Sequence, residues 1–462
     1  MNYFIMIKEF LVLLFFIAAL PAALAFSTEC PDAKNDGVIS VLDLVRIVKA
    51  INENDLAFDI TDDGAINIMD LRAVADKIGT SCIACAQGFV LDNASGKCIL
   101  DSPENCGPNG AICNYKQSCI VDYSGVAACQ KSISDIAREK CIKVGAIMQY
   151  HLMVPGSYAD SESARIYRKR MNNFATIITP ENELKWGSVQ PYNKDSFDFT
   201  AADAIMNFAY DNNIEVKVHA PIWYSQNPLW VNGLNCEQLK DAYRTYVTTV
   251  LNRYKGKIQY WDLVNEPIGH DFVYQDKCGY SGFLGFAAEI SKLIKASDPG
   301  IILIVNEYGV EDPYNEKIVS LNNWINDLTA NYGAIVDQIG FQYHFKNSFT
   351  ASYEGGHLSW WAANTGKKIA ITELDAGSDS FSGCASRPDW GYQEGCQANY
   401  YGSIAEFAFA NRSVSYLNFW TFWDKSSWVV NAGFYRNDAT ASQKPSLNVI
   451  WQKINNAPSR CA

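Results

Sequence analysis

No tryptophan precedes residue 186 in this chain of 462 residues, although 12 occur from there on. That gap separates a small N-terminal part from a large aromatic-rich part. Nor is there an excess of positive charge: 38 Lys and Arg face 50 Asp and Glu, for a net charge of −12. An acidic surface repels phosphate backbones, which argues against a nucleic-acid partner. A neutral or weakly charged substrate fits better, and so does a calcium requirement. Beyond the N-terminus no apolar run approaches the ~20 residues that a membrane span needs. Hydrophobic residues make up 48% of the chain, enough for a large core. The length suits roughly two to four domains, or one large barrel with small modules.

The N-terminus reads as a signal peptide over residues 1–25. Lys8 precedes an apolar stretch from Phe10 to Leu20, Pro21 follows, and Ala23-Leu24-Ala25 offers a small-x-small cleavage site. The alternative is a retained membrane anchor, for which the run is short. Export makes the chain secreted and extracellular, with no membrane contact after signal removal. The 14 cysteines suit that compartment. Eight fall between Cys30 and Cys129 and six between Cys141 and Cys461, so each group can close its own bridges. Cys141–Cys461, Cys236–Cys278 and Cys384–Cys396 are the pairings expected in the second group.

Residues 26–80 carry an internal repeat. A 12-residue loop from Asp32 to Asp43 recurs from Asp59 to Asp70, with acids at its first, fifth and last positions. Gly37 and Gly64 stand where such a loop turns sharply. Hard oxygens in this spacing suit Ca2+, with Asp32, Asp36 and Asp43 in one loop and Asp59, Thr61, Asp63 and Asp70 in the other. A helical apolar pattern follows each loop. The segment resembles dockerin modules, which bind two calcium ions and attach enzymes to cohesin domains on a scaffold. That resemblance implies docking near Val41, Leu42, Ile68 and Met69. Lys34 departs from the pattern by bringing a positive charge to the first loop, which weakens or empties that site. The alternative is a pair of acidic turns without metal.

Residues 81–131 form a cysteine-rich spacer with too few apolar residues for a core of its own, so bridges substitute for one. Cys82-Ile-Ala-Cys85 also fits zinc or redox chemistry, but in an exported chain disulfides are the better reading. Cys30 and Cys82 are placed to clasp the repeat.

From residue 132 to 462, apolar runs rich in Val and Ile alternate with helical patterns. Strands are expected at 143–150, 174–179, 214–219, 258–264, 301–305, 337–343, 368–372 and 414–420. Helices are expected between them at 160–172, 200–212, 237–254, 281–297, 315–331, 353–365 and 396–411. Eight such units predict an α/β fold, a (β/α)8 TIM barrel. A doubly wound sheet also alternates, but it does not explain polar clusters after nearly every strand. Those clusters stand where barrels build their sites: Thr179-Pro180-Glu181-Asn182-Glu183-Leu184-Lys185-Trp186 after the second strand, and His219-Ala220-Pro221-Ile222-Trp223-Tyr224-Ser225-Gln226 after the third. Trp261-Asp262-Leu263-Val264-Asn265-Glu266 closes the fourth, Gly340-Phe341-Gln342-Tyr343-His344 the sixth, and Ile371-Thr372-Glu373-Leu374-Asp375 the seventh. Trp420 and Trp428 follow the eighth. Trp261 and Trp324 are read as core.

Cleaving a glycosidic bond takes one carboxylic acid to protonate the leaving oxygen and a second carboxylate to attack carbon or activate water. Indole rings stack on sugar faces, while amides, His and Lys meet hydroxyls. The fourth and seventh strands lie across an eight-stranded ring, so Glu266 and Glu373 can face each other at its mouth. A lone strand-end glutamate is ordinarily a solvated acid or an ion-pair partner. Two at matching positions point to catalysis.

Residues 133–455 resemble glycoside hydrolase family 10, the endo-β-1,4-xylanases, through these motifs in this order. The resemblance implies that Glu266 is the acid/base and Glu373 the nucleophile of a retaining double displacement. Such enzymes hold the two carboxyl groups about 5–5.5 Å apart. It places Asn265 on the sugar's 2-hydroxyl and His344 beside Glu373. Glu181, Asn182, Lys185, His219 and Gln226 become ligands of the glycone, Trp223, Trp420 and Trp428 aromatic walls, and Gln342 a further substrate contact. No cofactor is implied for catalysis. The expected partners are xylan or a related β-1,4-glycan and a cohesin-bearing scaffold. Tyr224 stands where the family has His, Thr421 where Gly is common, and Asn306-Glu307-Tyr308-Gly309 where Asn-Asp-Tyr-Asn is usual. Two alternatives remain: hydrolysis of mixed-linkage glucan or cellulose, and a non-catalytic carbohydrate binder or scaffold-docking protein.

Overall fold

The computed structural model describes residues 51, 89–92, 97–100, 104–106, 111–113, 117–121, 127–220, 222–312, 314–344, 351–381, 392–438 and 441–461. The expected signal peptide, both calcium-type loops (Asp32, Asp36, Asp43, Asp59, Thr61, Asp63 and Asp70) and Cys30, Cys82, Cys85 and Cys384 lie outside the described residues.

The chain divides into two compact units, Met1–Pro103 and Glu104–Ala462. In the first, Phe89–Asp92 pairs with Lys97–Leu100 as an antiparallel hairpin. In the second, two further hairpins pair Glu104–Cys106 with Ala111–Cys113 and Gln117–Val121 with Ala127–Lys131. A Cys113–Cys129 disulfide joins them.

Eight parallel strands then close a barrel: β1 (Val144–Met148), β2 (Ile177–Pro180), β3 (Glu215–Val218), β4 (Tyr260–Asn265), β5 (Ile302–Glu307), β6 (Gln338–Phe341), β7 (Lys368–Leu374) and β8 (Val414–Phe419). Every one overlaps its expected stretch. The period of two along a strand splits their side chains between two cores. Ile178, Val216, Trp261, Leu303, Ile369 and Leu417 point outward into the main apolar core. The alternate positions Ile177, Tyr260, Ile304, Ala370 and Tyr416 form a separate small cluster, which fills the barrel as a packed interior and leaves the functional groups to the strand ends.

The outer helices are α1 (Ser161–Phe174), α2 (Thr200–Asp211), α3 (Cys236–Arg253), α4 (Val273–Ser297), α5 (Lys317–Asn326), α6 (Ala351–Thr365), α7 (Tyr392–Ala410) and α8 (Pro445–Asn456). Local signals set their ends. The Asp160 carboxylate caps α1 at the N–H of Ser163, and Ala164, Tyr167, Met171 and Phe174 form its buried stripe. Asn235 and Gln238 make a capping box on α3. The fourth helix begins earlier than its pattern suggests, because Gly279 takes a left-handed φ of 70° and joins a short leading helix to the main one. The fifth passes into a π-helical turn at Asp327–Asn331. Ile120, from the last hairpin, is buried in the main core, and the Trp451 indole of α8 donates to the Lys131 carbonyl at 2.9 Å. Among the described residues no helix is long and apolar enough to cross a membrane.

Two of the expected disulfides are formed, Cys141–Cys461 and Cys236–Cys278, and Cys396 is also disulfide-bonded. Cys141–Cys461 spans 320 residues of sequence. Cross-linking so long a loop chiefly restricts the unfolded chain. Replacing both cysteines by serine is therefore expected to cost about 2–5 kcal/mol, read as a lower urea midpoint. An unchanged midpoint would contradict this.

Candidate active site

The strand ends gather the expected polar residues at one mouth. Glu266 follows β4 directly, and Glu373 lies near the end of β7. Both are nearly buried, at 8% and 3% exposure. One hydrogen-bonded network contains them. Asn306, on β5 between them, donates from Nδ2 to Glu373 Oε1 at 2.6 Å and to Asn265 Oδ1 at 2.7 Å. Asn265 Nδ2 in turn donates to Glu266 Oε1 at 3.0 Å. Thr372 fixes the Asn306 amide through Oγ1 at 2.6 Å. Gly340 is required here, since a Cβ on it would stand 2.4 Å from Asn306 Oδ1.

The two carboxyl groups differ in their partners. Glu266 Oε1 also accepts from Gln342 Nε2 at 2.9 Å, and Oε2 accepts the Trp223 indole N–H at 3.1 Å. Glu373 lies instead beside the His344 imidazole, with Nε2 3.3 Å from Oε2. His219 Nδ1 stands 3.9 Å from Oε1, though burial lowers that imidazole below its ordinary value, and His270 Nε2 stands equally far from Glu266 Oε2. Burial works to raise the Glu373 carboxyl, but the His219 and His344 imidazoles and Lys217 outweigh it and hold it down to about 2. Burial works against charge on His344 as well. There, Asp375, at 2.8 Å from Nδ1, and Glu373 win and push the imidazole up to about 10.

These directions fix the pH dependence. The raised His344 contributes stability that is complete below its ordinary 6.5 and is lost as pH rises through about 10. The lowered Glu373 contributes stability present above 4.5 and lost as pH falls through about 2. His344→Gln removes the cation beside Glu373, so the acid limb of kcat/KM should move to higher pH. A pH–rate profile with an unmoved acid limb would count against it.

The other expected residues surround this pair. Lys185 Nζ donates to Asn182 Oδ1 at 2.9 Å and Gln226 Oε1 at 2.6 Å, and lies 4.7 Å from the Trp223 ring centroid. Burial pulls its ammonium down to about 8, with Glu373 and Glu181 opposing. Glu181 accepts from Gln149 Nε2, and burial raises its carboxyl. Trp420 packs edge-on to His219 at 4.7 Å. Trp428 is 59% exposed, yet its indole donates to Asp375 Oδ2 at 2.9 Å, so an open aromatic face is tethered at the rim. Trp261 and Trp324 are buried in the core, as read from the sequence.

The strand sequences hide several partners. Asp262 receives both Lys217 Nζ and His219 Nδ1 on Oδ2 at 2.7 Å, with all three side chains buried. Lys217 and His219 are two apart and so share one face. The same spacing relates Glu373 to Asp375, and it was the available signal for both. Asn306 and Gln149 gave no such signal. Three residues in this region, Gln226, Glu266 and Tyr343, have left-handed φ of 52°, 56° and 61° without being glycine. Such backbone persists only when its surroundings over-determine it, and it concentrates at functional sites.

A family model, glycosyl hydrolase family 10, matches residues 132–453. The chain belongs to this family. Among curated relatives of this family 10 chain is endo-1,4-beta-xylanase 3 of Hypocrea jecorina, 30% identical over 276 residues, covering 59% of this chain and 74% of that one. Endo-1,4-beta-xylanase B of Thermotoga neapolitana is 32% identical over 289 residues, covering 61% and 78%. The solved xylanase 10B from Thermotoga petrophila RKU-1, in complex with xylobiose, superposes with a TM-score of 0.61 at 26% identity, covering 70% of this chain and 97% of that one. Glycoside hydrolysis at the barrel mouth thus agrees with the family, the fold and the paired carboxyl groups.

Proposed function

We propose that this family 10 glycoside hydrolase is a retaining endo-β-1,4-xylanase in which Glu373 attacks the anomeric carbon and Glu266 serves as acid and then base. The observation that carries this reading is the contrast between two carboxyl groups in one network. The Glu373 carboxyl is held well below its ordinary value, with the raised His344 imidazole 3.3 Å away, as suits a nucleophile. Glu266 accepts instead from three neutral donors, the Asn265 and Gln342 amides and the Trp223 indole, with the His270 imidazole farther off at 3.9 Å. Two amide N–H groups occupy Oε1, which leaves Oε2, on the Trp223 side, as the oxygen that exchanges a proton with the substrate in this reading. Glu373 displaces the leaving sugar as that proton passes to the departing oxygen. The glycosyl ester forms and the Glu373 charge disappears. Glu266, now a carboxylate, takes a proton from water, which cleaves the ester with retained configuration.

Lys185, Asn182, Gln226, Glu181, His219 and Asn265 bind the glycone hydroxyls in this reading, Gln342 and His344 orient the carboxyl groups, and Trp223, Trp420 and Trp428 wall the sugar ring. Xylose lacks the hydroxymethyl group that Trp420 and Trp428 would crowd. Reducing ends should therefore be released from xylan at least about tenfold faster than from cellulose or mixed-linkage glucan, since one misfit group is worth about 1–3 kcal/mol. A cellulose preference would reject the assignment, as would inversion seen by NMR of the first product.

The remaining reading rests on sequence. Residues 1–25 direct export, 26–80 form a dockerin-like module holding Ca2+ for a cohesin-bearing scaffold, and 81–131 are a disulfide-rich spacer before the barrel. Calcium-dependent binding to a cohesin panel tests the docking.

A further inference from the structure

We propose that Glu307, with Lys317 as its counter-charge, is a positioning residue that holds the turn carrying Glu266 in its left-handed conformation. The proposal rests on the reading of Glu266 as acid/base. Glu266 leaves β4 with a φ of 56°, a conformation that costs on the order of 1–3 kcal/mol and needs external support. The next residue, Pro267, has no N–H to offer. Asn265 N–H, before the bend, donates to the Ile222 carbonyl at 2.9 Å, and the amides on either side of Pro267 are those of Glu266 and Ile268. Both end on β5. Glu266 N–H donates to the Asn306 carbonyl at 2.7 Å, and Ile268 N–H donates to Glu307 Oε2 at 3.0 Å.

The other Glu307 oxygen accepts the Tyr308 N–H at 3.0 Å and pairs with Lys317 Nζ at 2.7 Å. The Glu307 side chain has no exposure and Lys317 has 14%. Burial pushes the Glu307 carboxyl up to about 7, and Lys317 opposes that rise where water screens little. The end of β5 thus grips the turn at successive points: the Asn306 amide on Asn265, the Asn306 carbonyl on Glu266, Glu307 on Ile268, and the Tyr308 hydroxyl on His270 Nε2 at 3.1 Å. Lys317 also stands 3.2 Å over the Tyr308 ring, so one ammonium fixes two of these grips. No direct contact with Glu266 is needed. Glu307 sets where the backbone delivers the carboxyl group.

A displaced acid harms only departures that need a proton. The test compares phenyl and 2,4-dinitrophenyl β-xylobiosides, whose glycones are identical. The dinitrophenolate leaves without protonation, while the phenolate needs help. Glu307→Gln keeps the shape of the side chain and removes its charge. It should lower kcat/KM for the phenyl substrate by about 10- to 100-fold, the scale for a misplaced catalytic group, and leave the dinitrophenyl value within about threefold. With xylan, kcat should fall while KM holds. Glu307→Asp should recover part of the loss, and Lys317→Met should share its direction. Equal losses on both aryl substrates, or no loss on either, would overturn the clamp. Glu266→Ala is the control. If it shows the split and Glu307→Gln does not, the clamp alone fails. If Glu266→Ala loses equally on both, the acid/base reading fails and takes the clamp with it.

Discussion

Replacing Glu373 by alanine is expected to abolish xylan hydrolysis, by about 10⁴-fold or more in kcat, with the fold retained. Among the described residues at the mouth, Glu373 is the carboxyl group held well below its ordinary value, with the His344 imidazole 3.3 Å away, and its acidic neighbours are engaged elsewhere. Asp375 is engaged by His344 and Trp428. Asp262 is engaged by Lys217 and His219 inside the barrel. Those same pairings explain why folding should survive. After the substitution His344 still faces Asp375 and Lys217 still faces Asp262, so neither buried cation is orphaned. Reducing-end release, with far-UV circular dichroism and a thermal melt as the folding control, checks the prediction. Turnover near that of the unaltered chain would end the nucleophile assignment.

Glu266→Ala should be the second large effect, a loss of about 10²–10⁴ on xylan. Its signature should be chemical rescue. In this variant the glycosyl ester on Glu373 waits for a base that no longer exists. Azide is small enough for the vacated space and attacks without giving up a proton. The expected product is a β-glycosyl azide with faster turnover of an activated aryl xylobioside. An α-azide, or no azide effect at all, would argue that the two glutamates have been given the wrong roles.

How much of this was legible in the sequence differs by element. The barrel strands were, because buried parallel strands read as apolar runs rich in Val and Ile. Helix periodicity was legible too, except where backbone chemistry interrupts it: at Gly279, whose left-handed φ breaks the pattern of α4, and at the π-helical turn after α5. The paired glutamates were recognisable because each closes a strand within a motif. Asn306 was not put at the site, although it bonds the Glu373 carboxyl directly and reaches the Glu266 carboxyl through Asn265. Its role depends on the strand order, which sets Asn265 opposite Asn306 and Asn306 opposite Gly340. Local spacing carries no record of that register. Glu307 was noticed only as a departure from a family pattern. Its partner Ile268 lies on a neighbouring loop, and nothing along the chain announces that contact.

The Cys141–Cys461 bond makes the barrel a covalent ring. A protease that cuts any one loop between these residues opens the ring without releasing a fragment. The nicked chain keeps its mass on a non-reducing gel and separates into pieces only after reduction. The enzyme thereby keeps both halves of its site tethered after a cut, and a single scission becomes a wound the molecule can outlast.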